Sequence, residues 1–123
     1  MFEKLISTLM ASRDQAHIFH WQTKGPGSYA AHKALGDYYE AIPGLTDGLV
    51  ESYQGKHGII KGFSPAERYD EYSKETALKY FKALSTFVER AYDKIPKDSY
   101  ILNQLDNVKE LVYSTIYKLE NLE

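Results

Sequence analysis

Two histidines and two carboxylates carry most of the chemistry available to this 123-residue chain. His20 and His32 flank the turn Gly25-Pro26-Gly27-Ser28. Glycine accepts positive φ and proline removes a backbone donor, so this stretch ends one helix and folds the chain back into the next. Two imidazoles facing each other across so tight a turn either ligate a metal or tie the turn together by hydrogen bonds. Downstream, Asp47 and Glu51 stand one helical turn apart. The chain has no cysteine, which excludes disulfides and thiolate metal sites. Any metal must then be held by imidazole and carboxylate, a donor set that suits iron, manganese or zinc. Zinc hydrolysis has the weaker support, because no HExxH pattern is present.

On a helical wheel of about 100° per residue, Gly36, Glu40, Asp47 and Glu51 share one stripe with His32. A polar stripe of this kind is either a solvated face or a metal face. Distance limits how it could bind metal. At ~1.5 Å per residue, His32 and Asp47 are roughly 22 Å apart along a helix axis, whereas ligands of one ion lie within a few ångströms of each other. A two-fold axis near Glu40 to Ile42 resolves the conflict. Antiparallel copies of this helix would bring His32 of one chain near Asp47 and Glu51 of the other, and two-fold dimers are the commonest oligomers. Each of two equivalent sites would then take His20 and His32 from one chain and the carboxylates from its partner.

The elements that must position these groups are all helical. Phe2, Leu5, Ile6, Leu9, Ala16 and Phe19 recur at helical spacing over about residues 2–22. A second helix runs from about Ser28, a candidate N-cap, to Gln54, with Pro43-Gly44 kinking it in mid-course. A third spans about Lys74 to Lys94 and stops before Pro96. A fourth follows Asp98, a good N-cap, with Ile101, Leu105, Val108, Val112, Thr115 and Leu119 in alternating steps of four and three, the seam of a bundle. The link between the second and third helices is long. It contains Ser64-Pro65-Ala66-Glu67, a capping box that predicts a short helix from about Pro65 to Tyr72. His57 reads as an exposed loop histidine. The expectation is therefore a single all-α domain over residues 1–123, an antiparallel four-helix bundle whose long crossover carries a short helix, the mark of ferritin-like bundles.

Composition narrows the partners. Fifteen Lys and Arg against seventeen Asp and Glu give a net charge of −2, with no clustered basic face of the kind nucleic acid requires. No apolar run approaches the ~20 residues of a membrane span. Met1 to Met10 carries Glu3 and Lys4 inside an amphipathic repeat rather than a signal-peptide pattern, so the expected location is the cytoplasm.

The pattern His20-Trp21-x-x-Lys24-Gly25-Pro26-x-x-Tyr29-x-x-His32, followed by Asp47-x-x-x-Glu51, resembles the signature of the Dps-like mini-ferritins of the ferritin superfamily. It also resembles small phage-encoded ferritin-like proteins. The resemblance covers roughly residues 17–55. It implies a mononuclear or dinuclear iron site at a dimer interface, with His20, His32, Asp47 and Glu51 as ligands. It further implies Fe(II) oxidation by peroxide or oxygen, assembly towards a hollow dodecamer, and Trp21 as an aromatic that quenches or relays oxidising equivalents. Two departures stand out. The family has an acid four residues after its second histidine, where this chain has Gly36; Glu40, one turn further on, has the best direction to compensate. The basic N-terminal tail through which many members bind DNA is also missing.

Overall fold

The computed structural model describes residues 1–123 as four helices without strands: α1 (Phe2–Gln22), α2 (Ser28–His57), α3 (Lys74–Tyr92) and α4 (Ser99–Asn121). α1 packs on α2, α2 on α4 and α4 on α3, with a lighter α1–α3 contact closing the ring. One core runs through the middle, and Leu5, Leu9, Phe19, Leu35, Ile42, Leu49, Phe81, Val88, Ile101 and Leu105 have no exposed surface. These are the helical-period apolar positions of the sequence, turned inward because burying them removes apolar surface from water.

α2 is a single helix of 30 residues that continues through Pro43 to His57, three residues beyond the sequence expectation. Its first residue is Ser28. The N-cap is Gly27, in the left-handed region at φ 77°, so the serine side chain does not cap. Gly25 is left-handed as well, at φ 91°. Only glycine adopts this conformation without steric cost, and the two together make the sharp reversal between α1 and α2. α3 ends at Tyr92, two residues early, and is capped at its start by the Ser73 hydroxyl, which accepts from the Thr76 N–H.

The short helix expected over Pro65 to Tyr72 does not form: residues 58–73 contain no helix. α1 supplies the reason. Its Ser7 hydroxyl accepts from the Ser64 N–H at 3.0 Å. The Gln15 amide bonds both the N–H and the carbonyl of Asp70, at 2.7 and 3.0 Å. Gln22 accepts from the Tyr72 N–H at 2.7 Å. The crossover therefore climbs along α1, and α3 starts at the same end of the bundle as α2 and runs parallel to it. Between Ser64 and Tyr72 it must keep pace with α1 from Ser7 to Gln22, roughly 22 Å. Eight residues advance only ~12 Å as a helix but ~26 Å when extended. The span to be covered overrides the local capping signal.

The far end of the bundle is held by Asp98. It occupies the N-cap position of α4, but its side chain makes no capping bond. Instead its carboxylate accepts from Lys56 Nζ at 2.5 Å and pairs with His57 Nε2 at 2.7 Å. His57 thus closes α2 in a hydrogen bond to Asp98, its ring 4.8 Å from that of Tyr53, rather than lying in a loop. These hydrogen bonds, from Lys56 first and then His57, hold the Asp98 carboxyl below its ordinary range and raise Lys56.

Gln15 is buried, and Gln15→Ala should lower stability in urea unfolding by about 2 kcal/mol, two net hydrogen bonds. Glu67→Ala, which removes only the unused capping box, should stay within ~0.5 kcal/mol of wild type. A carboxyl with a depressed folded-state pKa stabilises above its unfolded pKa and loses that contribution as pH falls through the folded value. Urea midpoints should therefore drop as pH falls below the usual carboxylate range, and Asp98→Asn should flatten that acid limb.

Candidate metal centre

The turn brings His20 and His32 face to face. Their rings stack with centroids 3.6 Å apart and 20° between planes. Each ring bonds the other residue's backbone: His20 Nδ1 lies 2.6 Å from the His32 carbonyl, and His32 Nδ1 lies 2.9 Å from the His20 carbonyl. A carbonyl only accepts, so each Nδ1 carries the proton and donates. In the neutral form of either ring, this bond fixes the tautomer whose Nε2 holds the lone pair. Neither Nε2 makes a hydrogen bond within the chain, and no buried side-chain nitrogen or oxygen lacks a partner, so both Nε2 atoms reach solvent. A metal-binding histidine is ordinarily held in this way, its other N–H committed to a carbonyl or carboxylate.

Thr23, which no sequence motif singles out, completes the arrangement. Its hydroxyl donates to the His20 carbonyl at 2.9 Å and lies 3.2 Å from His32 Nδ1. It thus satisfies one of the carbonyls left without a helical partner at the end of α1. Its position three residues after His20 is the only signal in the sequence. His17 and Tyr39 also border the His20 ring. The His17 ring stacks on Tyr39 at 4.2 Å and lies tilted against Trp21 at 4.0 Å, while Tyr39 meets His20 edge-on at 5.2 Å. Trp21 therefore lies on the α1–α2 seam against His17.

Gly36 has a geometric reason to be glycine. A Cβ there would lie 3.2 Å from His20 Cε1 and 3.4 Å from its Nδ1. The imidazole fills the space that an acidic side chain at this position would need. Asp37 is engaged elsewhere, in exposed ion pairs with Lys33 at 3.7 Å and Lys118 at 4.0 Å. Glu40, Asp47 and Glu51 are exposed on α2 and make no ion pair or side-chain hydrogen bond within the chain. No three His, Cys, Asp or Glu side chains converge in one chain. The structure thus joins His20 to His32 and leaves the three carboxylates apart from them.

The buried polar groups outside this centre are paired. Tyr38 has no exposed surface, and its hydroxyl lies 2.7 Å from that of Ser12. Burial pushes its phenol well above the ordinary tyrosine range, and it stays neutral.

The Gly36 contact generates a comparison. Gly→Ala inside a helix ordinarily stabilises by up to ~1 kcal/mol. At Gly55, where nothing lies within 4 Å, part of that gain should appear in thermal unfolding. At Gly36 it should be absent, and the His20 imidazole resonances should shift in NMR spectra, because the ring must yield by a few tenths of an ångström while both its face and its Nδ1 are held.

A family model described as a family of unknown function, DUF5856, matches residues 20–119. No curated protein and no solved structure matches the chain. The matched span opens at His20 and includes His32, Asp47, Glu51 and all of α2, α3 and the crossover. With 100 of its 123 residues covered by that model, the chain belongs to the DUF5856 family.

Proposed function

We propose that this protein is a ferritin-like homo-oligomer that binds Fe(II) and oxidises it with peroxide or oxygen. Its site is shared across a two-fold interface, with His20 and His32 from one copy and Asp47 and Glu51 from the other. The observation that carries this reading is the reciprocal bonding of the two imidazoles. Both Nδ1–H groups are committed to backbone, and both Nε2 atoms are left open to solvent with no partner in the chain. Asp47, Glu51 and Glu40 supply the complementary half, carboxylates on α2 with no cation of their own. The run of the crossover, which leaves α3 parallel to α2, agrees with a ferritin-like bundle.

Iron is the substrate here, each Fe(II) giving up one electron while peroxide takes up electrons and protons to leave as water. The chain's own residues orient and neutralise. His20 and His32 present their lone pairs in fixed directions, so little ordering remains when the ion binds. The partner's carboxylates offset its charge. With Gly36 in place of the acid that mini-ferritins carry there, this site has one carboxylate fewer, and Glu40 is the nearest substitute along the stripe. The same Gly36 also favours a second reading, in which the bundle keeps the oligomer and the histidine staple but has lost the chemistry.

Anaerobic loading with Fe(II) followed by peroxide, monitored by near-UV absorbance, separates the two. His20→Ala/His32→Ala and Asp47→Ala/Glu51→Ala should each be inactive alone. Unfolded and refolded together, they should recover about a quarter of the wild-type signal, because half the dimers are hybrids with one intact site of two. No recovery on mixing, with both double variants folded, refutes the shared site. No oxidation by wild type leaves the structural reading standing.

A further inference from the structure

Trp21 is the chain's only tryptophan, and it is 66% exposed. Nothing in the α1–α2 turn requires so large an apolar ring in water. The seam on which it lies also carries a notch of about 200 Å³. Its floor is formed by the buried Leu9 and Ile42, and its rim by Met10, Arg13, Pro43 and Asp47. Met10 is 54% exposed there, and Arg13 is occupied only by its sequence neighbour Asp14, at 3.6 Å.

The register of the two helices relates knob to notch. His20 abuts Gly36, His17 stacks on Tyr39, and Met10 and Arg13 share the notch with Pro43 and Asp47. In this antiparallel register Trp21 stands level with Leu35, and the notch with residues 43–47. The point midway between His32 and Asp47 lies between Tyr39 and Glu40. Trp21 is therefore about 7 Å to one side of that point and the centre of the notch about 8 Å to the other. The two-fold axis that would bring Asp47 to the partner's histidines also carries each Trp21 over the partner's notch. Charge runs the same way, since Lys24, beside Trp21, makes no ion pair within the chain and would approach the end bearing Asp47 and Glu51.

We infer that Trp21 of each copy inserts into this notch of a second copy, a symmetric pair of knobs that sets the register in which the shared centre closes. The indole lies on Leu9 and Ile42, against Pro43 and the face of the Arg13 guanidinium, the surroundings in which tryptophan becomes an interface anchor. Trp21 is then a positioning residue. The inference rests on the two-fold reading above, and the notch adds the contact that holds it.

Light scattering on wild type, Trp21→Ala and Met10→Glu, with acrylamide quenching of the single tryptophan, tests it. Both substitutions are at exposed positions, and unchanged far-UV circular dichroism confirms that the variants fold. Wild type should be at least dimeric, with blue-shifted, quench-protected emission that is lost on dilution to monomer. Either variant should weaken association by at least ~tenfold, and Met10→Glu should restore exposed emission at a concentration where wild type is protected. A dimer whose tryptophan is freely quenched, and whose association Trp21→Ala leaves unchanged, overturns the notch without touching the shared metal site. A wild type that stays monomeric at every concentration overturns both. A protected, notch-dependent dimer that does not oxidise Fe(II) upholds the inference and removes the iron reading alone.

Discussion

α2 holds His32 and Asp47 roughly 22 Å apart because it is one unbroken helix. A helix is stiff, and this one is packed against α1 on one side and α4 on another, so it cannot bend its own residues together. That separation governs the rest of the molecule's functional surface. The histidines sit at one end of the α1–α2 seam, the carboxylates at the other, and nothing inside one chain closes the gap. Insertion of Pro43 did not break the helix either. It costs one N–H donor and crowds the Tyr39 carbonyl four residues before it, and the packing of the fully buried Ile42 beside it works against that cost.

At the histidine end the same few atoms serve two purposes. Each imidazole ties the backbone of the facing helix, which stabilises the reversal at Gly25 and Gly27 and satisfies a carbonyl at the end of α1. The same bond fixes the tautomer and aims Nε2 outward. A structural staple and a ligand pair therefore do not compete here, because they use different nitrogens. Gly36 belongs to this economy of space: its missing side chain is where the His20 ring sits.

The crossover shows how tertiary distance overrides a local signal. Ser64-Pro65-Ala66-Glu67 has the composition of a helix start, yet the chain must climb the length of α1 in few residues. Gln15, Gln22 and Ser7 replace the hydrogen bonds a helix would have made. Their side chains do for the strap what a neighbouring strand does in a sheet, pairing its peptide groups at intervals. Asp98 was similarly diverted. Its position favours capping α4, but the Lys56 ammonium and the His57 ring at the end of α2 take up both carboxylate oxygens instead.

The sequence by itself determined the four helices, their apolar faces and the reversal between His20 and His32, because these rest on periodicity and on glycine and proline, which act locally. It also determined that His32 and Asp47 cannot meet in one chain, since the rise per residue is fixed. Only the tertiary structure decided the extended crossover, the engagement of His57 with Asp98, and the roles of Thr23, Tyr39 and His17 around the imidazoles. Those depend on distances between elements far apart in the chain. The placement of Trp21 and the notch on one seam is of the same kind. Each is an ordinary feature of its own helix, and their relation exists only once α1 and α2 are set in register.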